Sequence, residues 1–391
     1  MLKAEKANIN EISLPIKSLQ YHANNRHATW LELFFDLVFV ASLDVVTHNL
    51  AHVHHGHIEL KQLMLFPVEF LPIWWIWATH MLYANRFDTD SRQHRLASLA
   101  IMFLVITMSA FVGRGIFTHY KYFIAFYIAI RLILAGLYLS SPNKLADSNN
   151  HTKMVELNII AGACVSGVTL LFTSPMRELI LLGSIFIEMM GVVLIGKKVK
   201  VDPIHREHFV ERIGLFSIIL LGESVISLIT GLKDIAWNHL NMIAALSGFI
   251  MIGAIWWIFY DSFHSVERIK NMKHGYTLLY SNMLFAIGLI ILANLIRHTI
   301  LNDLDTHDFQ ILTFLGVASF FIGKQANYYK FFPPMRPYIW FNSIACISAT
   351  VASTWLPRPE YALVGMTLSM LFYVFVNYTW ALKRDISQYL E

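Results

Sequence analysis

The stretch Thr29-Trp-Leu-Glu32-Leu-Phe-Phe-Asp36-Leu-Val-Phe-Val-Ala-Ser-Leu-Asp44-Val-Val-Thr-His-Asn-Leu50 is an apolar run that carries its own acidic side chains. A helix rises about 1.5 Å per residue, so roughly 20 apolar residues cross the hydrocarbon of a bilayer. Working outward, comparable runs recur at 65–85, 94–113, 119–140, 155–173, 176–196, 207–231, 239–260, 276–298, 308–323, 337–355 and 361–382. The run at 308–323 is the shortest and least secure. All are too continuous for the period-two alternation of a membrane barrel. The expected fold is therefore all-α, a polytopic membrane protein of about twelve transmembrane helices.

Composition agrees. Of 391 residues, 56% are hydrophobic and 14% charged, with a mean hydropathy of +0.52. A water-soluble domain carries roughly 25% charged residues. Cys164 and Cys346 lie inside apolar runs, which excludes a disulfide framework and a cysteine-based metal site. Met1 to Gln20 contains lysines, glutamates and Pro15 without an apolar stretch, so no cleavable signal peptide is expected.

The formal charge of +4 has its source in topology rather than in nucleic-acid binding. With the amino terminus inside, 22 of the 30 Lys and Arg residues fall in inner segments and 7 in outer ones, and Arg131 lies within a span. Positive charge marks the cytoplasmic side. Both termini are therefore expected in the cytoplasm, which demands an even number of spans through the cell membrane.

A shift of 182 residues superposes the second half on the first. Ile73-Trp74-Trp75-Ile76 falls on Ile255-Trp256-Trp257-Ile258, and Ala163-Cys164-Val165-Ser166 on Ala345-Cys346-Ile347-Ser348. Pro175, Glu178 and Gly183 meet Pro357, Glu360 and Gly365, while Leu33-Phe34 and Ser42 meet Leu215-Phe216 and Ser224. The implied organisation is a cytoplasmic segment 1–28, a six-helix repeat 29–196, a basic linker 197–206, a second six-helix repeat 207–382 and a tail 383–391. Six spans is an even number, so the repeats run parallel.

A charge within the hydrocarbon costs at least a few kcal/mol and tends to be paired or to face a cavity. The deepest charged residues are Asp36, Arg131, Glu188 and Glu223. Glu32 and Asp36, four apart, lie on one helix face, where their mutual repulsion favours proton exchange or cation binding. Gly222-Glu223-Ser224 with Ser227 forms a second polar island. Arg131, the only cation read at mid-span depth, is the expected counter-charge. The plain alternative is an ion-pair network that pins helices together.

His52, His54, His55 and His57 in the first outer loop are weak metal-ligand candidates, since only Glu59 lies near enough to complete a set. A polar, pH-sensitive loop is the favoured reading. His80 and His264 are candidate proton relays, with hydrogen-bonded packing as the plainer role. Trp74, Trp75, Trp77, Trp256 and Trp257 suggest an interfacial belt, with some rings lining a cavity. No nucleotide-binding or hydrolase motif occurs and no cofactor is expected.

The string Arg26-His-Ala-Thr-Trp-Leu-Glu32-Leu-Phe-Phe-Asp36-Leu-Val-Phe-Val resembles the signature of the bacterial low-temperature-requirement protein A family. His208-Phe-Val-Glu211-Arg212-Ile-Gly-Leu-Phe-Ser-Ile-Ile-Leu-Leu-Gly222-Glu223-Ser224-Val resembles its second hallmark. The family's name refers to growth in the cold, and the resemblance implies no particular reaction. Phe35-Asp36 is more weakly similar to the Phe-Ser-Asp motif of potassium channels built from two six-span repeats. Here Phe stands in place of Ser, and the matching part of the second half reads Phe216-Ser217-Ile218.

The functional expectation is a secondary transporter of a small solute or ion, coupled to a proton or cation through Glu32, Asp36, Glu188, Glu223 and Ser224 with Arg131. A cation channel is the first alternative. An intramembrane enzyme or envelope factor acting on lipid is the second.

Overall fold

The computed structural model describes residues 26–381 except 88–90, 142–145, 199–203, 234, 236, 262, 268, 270–271 and 273. The linker residues 199–203, most of the amino-terminal segment and the tail 383–391 therefore lie outside the described residues. The helices are α1 (Trp30–Leu50), α2 (Leu60–Phe87), α3 (Arg92–Gly113), α4 (Ile116–Leu139), α5 (Ala146–Val168), α6 (Met176–Lys198), α7 (Arg206–Lys233), α8 (His239–Tyr260), the short α9 (Phe263–Glu267), α10 (Tyr276–Leu301), α11 (Thr306–Phe331), α12 (Arg336–Ser353) and α13 (Pro359–Val376). Among the described residues, nine of them are long and apolar enough to cross a membrane. The protein is an all-α, multi-pass membrane protein. Of the long helices outside that nine, α1 carries Glu32, Asp36 and Asp44, and α2 carries Glu69, Arg86, Pro67 and Pro72.

Capping side chains set the starts of α1, α3, α8 and α11. Thr29 Oγ1 accepts from Glu32 N at 3.3 Å while Glu32 Oε2 accepts from Thr29 N at 2.8 Å, a reciprocal box that fixes the first turn of α1. Ser91, Asn238 and Asp305 cap α3, α8 and α11 in the simpler way.

In the first half α1 packs on α2 and α3, α3 on α4, α4 on α5, α5 on α6, and α2 on α6. In the second half α7 packs on α8 and α10, α10 on α11, α11 on α12, α12 on α13, and α8 on α13. The halves meet where α1 touches α7 and α10 and where α2 touches α7. At that seam Asn294 Nδ2 donates to Thr47 O (3.2 Å) and Arg297 Nη1 to Ala51 O (3.0 Å).

Two expectations need correction. The run at 308–323 is the apolar part of a 26-residue helix, α11. Its continuation carries Lys324, Gln325 and Asn327, which are buried in the bundle, so hydropathy alone cuts the helix short. The tryptophans do not form one interfacial belt. Trp74, Trp75 and Trp77 are fully buried against Tyr280 and Phe216 of the second half, whereas Trp256 and Trp257 are each 46% exposed on the outer face of α8.

The tightest helix pair is α10 with α11. A Cβ at Gly288 would lie 2.5 Å from Phe320 N, and one at Gly323 would overlap the backbone of Phe285. Small residues let membrane helices approach this closely, with packing replacing the hydrophobic drive that lipid removes. Gly323→Ala and Gly288→Ala are each expected to cost about 1–3 kcal/mol by overpacking. Thermal unfolding in detergent should show a lower melting temperature for both, and a smaller change for Gly222→Ala, where a Cβ meets nothing within 4 Å.

Candidate functional site

The acids of α1 find their base on α7. Glu32 and Asp36 are spaced i, i+4, and so are His208 and Arg212, giving two ladders that match rung for rung across the seam. Arg212 Nε donates to Asp36 Oδ2 at 3.0 Å and Nη2 to Oδ1 at 2.5 Å, a bidentate fork. Arg212 Nη1 lies 2.8 Å from Glu32 Oε1, and His208 Nε2 lies 3.2 Å from the same carboxylate. Trp77 Nε1 of α2 donates to Asp36 Oδ1 at 2.8 Å. Asp36, Arg212 and His208 are completely buried and Glu32 almost so.

A second layer holds this hub. Asn85 of α2 lies 3.0 Å from His208 Nδ1 through its amide nitrogen, which places the imidazole hydrogen on Nε2, facing Glu32. The same amide exchanges hydrogen bonds with the backbone of His205, each 3.0 Å. Arg26 reaches the carbonyls of Ala84 and Asn85 at 3.0 Å and approaches Glu32 to 4.0 Å. The string from Arg26 to Asp36 and the string from His208 to Arg212 are thus the two sides of one joint.

Arg131, open to neutralise one of the deep acids Asp36, Glu188 and Glu223, does so at Glu188, and it is not the counter-charge of Glu32, Asp36 or Glu223. Its Nη2 forms an ion pair with Glu188 of α6 and its Nη1 donates to Thr79 Oγ1 of α2 at 2.8 Å. Gly162 of α5 leaves the room that Glu188 occupies, because a Cβ there would overlap the carboxylate. Of the deep acids, Glu188 is the one Arg131 neutralises.

Glu223 faces Asp44 of α1, the two carboxyls lying close to each other, and Glu223 Oε2 is buried without a hydrogen-bond partner. Glu223 is 9% exposed while Asp44 is exposed on the outer face of the bundle. Among the described residues no Lys, Arg or His forms an ion pair with either. Ser224 is buried next to Glu223 in the chain.

The loop histidines do not converge. His54 and His57 pair through their backbones, His57 Nδ1 lies 3.1 Å from Asp308 Oδ2, and Asp305 N donates to Gly56 O at 2.7 Å. The loop is clamped to the start of α11, and no group of three metal-ligand side chains occurs among the described residues. His80 packs in the core, stacked on Phe35 at 3.8 Å with Nε2 3.0 Å from Ser98 Oγ. The side chain of His264 lies outside the described residues.

Sequence reasoning passed over Arg212, counted among cytoplasmic charges, and Asp44. The matching i, i+4 spacing of His208 and Arg212 was the available signal for the first. For Asp44 the signal was simply a carboxylate midway along an apolar run.

Comparison with known proteins gives two findings. Residues 27–382 match the family described as Bacterial low temperature requirement A protein (LtrA). Over 217 residues the chain is 26% identical to an uncharacterized protein, RA0937, of Rhizobium meliloti (strain 1021), a stretch that is 51% of this chain and 50% of that protein. The chain thus spans about half the length of that curated relative.

Breaking a buried ion pair from one side costs about 3–5 kcal/mol, because the remaining charge is left uncompensated. Arg212→Met strands two carboxylates at once and is expected to abolish monodisperse, folded protein on size-exclusion chromatography. Adding Glu32→Gln and Asp36→Asn to Arg212→Met should restore much of the yield, which a merely local packing role for Arg212 does not allow.

Proposed function

The chain belongs to the bacterial low-temperature-requirement A family, and from that premise we propose that it is a secondary transporter of a small solute or ion, coupled to a proton or cation at Glu223 and Asp44. The observation that carries the reading is that these two carboxyls face each other on the α1–α7 seam. Two facing carboxyls attract each other only when a proton or a cation sits between them. Among the described residues neither has a basic partner, and the charge they exchange comes from outside the protein. Of the sequence candidates, Glu32, Asp36, Arg131 and Glu188 hold the bundle together around this pair, and Glu223 with Ser224 belongs to the exchanging site.

The architecture proposed with it is twelve spans in two parallel six-helix repeats, 29–196 and 207–382, with both termini cytoplasmic. The 182-residue offset and the matching helix contacts of the two halves support it, as does the bias of Lys and Arg toward one side. The acids Asp36 and Glu223 are not duplicated between the halves. Asp36 falls on Ile218 and Glu223 on Ala41, as expected of a single asymmetric site.

The test is flux in liposomes that enclose a pH dye. Protein with Glu223→Gln or Asp44→Asn is expected to lose about tenfold or more of the gradient-driven proton movement of the unaltered protein, the size of effect a positioned proton-transfer group contributes. Its melting temperature should remain unchanged or rise. Unchanged flux in both variants would overturn the assignment.

A further inference from the structure

We infer that the cavity between the loop ends of α1, α2, α3 and α4 binds the ammonium group of a small solute, with Glu69 as its counter-charge. The cavity has a volume of about 470 Å³, within the roughly 300–1,000 Å³ of small-molecule sites. Glu69 lines it from α2 and is only 4% exposed. Both of its carboxylate oxygens share one donor, Asn49 Nδ2, at 3.3 Å each, and that amide also approaches Val112 O at 3.4 Å.

A carboxylate offers about four acceptor positions, so Glu69 is under-satisfied as well as buried. Among the described residues no Lys, Arg or His forms an ion pair with it. The imidazole of His52, which also lines the cavity, does not supply the charge. Burial, with His48, Arg297 and His54 nearby, pushes its pKa below the usual value and keeps it neutral. A buried carboxylate without a counter-charge is costly, and the cavity gives a cation room to approach it.

The walls select the kind of cation. Leu65, Phe66, Val112, Ile116 and Phe117 are apolar or aromatic, whereas a bare divalent metal asks for six to eight oxygens. An ammonium donates to the carboxylate and places its carbon body against the walls. Arg114 at the exposed mouth adds an anchor for a carboxylate on the same solute, so an amine and a zwitterionic amino acid share the recognised group. If transport through Glu223 and Asp44 holds, this solute is the cargo. The binding stands apart from that reading.

The experiment is calorimetric titration of the full chain in detergent with n-propylammonium, with alanine and with KCl. Saturable propylammonium binding is expected. Glu69→Gln should weaken it by at least about thirtyfold, as loss of one partner of a buried charge pair does, while Glu69→Asp retains part of it. Binding is read here by calorimetry without flux, whereas Glu223→Gln and Asp44→Asn are read by flux in liposomes, which separates failure here from failure of the transport reading. Alanine binding that is lost in Arg114→Gln would identify a zwitterion, and its absence a simple amine; both support the site. If Glu69→Gln does not fold, Leu65→Trp, which narrows the cavity, must lower the affinity. Absence of propylammonium binding, equal binding by Glu69→Gln, or displacement by K⁺ at similar affinity would overturn the inference.

Discussion

One guanidinium buried between two carboxylates sets most of this structure. A charge in hydrocarbon is tolerated only with a partner, and lipid offers helices no hydrophobic reason to associate. The Arg212 fork on Asp36, with Glu32 beside it, therefore does what apolar burial does in a water-soluble core. It fixes which face of α1 meets α7 and at what height. Trp77 then orients α2 against the same carboxylate, and Asn85 carries the link on through His208 to the start of α7. Glu32 also closes the capping box of α1, so the first turn of that helix and the seam between the halves share one side chain.

The two halves use equivalent sequence differently. Trp74 and Trp75 are buried with no exposure against Tyr280 of α10, while Trp256 and Trp257, at the matching positions, face outward. Packing in the second half rests instead on backbone proximity, where Gly288 and Gly323 bring α10 and α11 together. The first half is wedged by large rings and polar links. The second combines the close α10–α11 approach with rings such as Phe285 and Phe320 and with polar links such as Asn327 to Ser281. The cavity beside Glu69 lies in the first half, at the loop ends of its first four helices, with Gly113 and Gly115 in its wall.

How much of this was legible in the sequence follows from what each signal measures. Apolar runs give helices well, because a spanning helix must satisfy its backbone internally and clothe it in apolar side chains. The same measure failed at Lys324 to Asn327, where polar residues are buried against protein rather than turned to water. The acids of α1 were recognisable as costly, and the need for a partner followed. The partner was not found, since charge counting treats an Arg six residues into a helix as cytoplasmic while the fold carries it inward. Which tryptophans face lipid was beyond reach, because identical strings occupy both environments. Asp44 and Glu69 were visible only as single carboxylates in apolar surroundings. Their meaning depends on neighbours supplied by other helices.

The separation of the hub's two sides along the chain has a consequence for biosynthesis. Arg212, which pairs with both acids, follows Asp36 by 176 residues and Glu32 by 180. At about 5–20 residues per second of chain growth, roughly ten to thirty-five seconds pass between synthesis of the acids and arrival of Arg212. During that interval α1 cannot rest as a finished span in lipid with its carboxylates bare. It must stay near the insertion machinery, lie at the headgroup level, or hold protons it later gives up. Assembly of the membrane bundle is thereby tied to the emergence of α7, and a chain truncated before Arg212 is left with an amino-terminal helix that has no settled place in the bilayer.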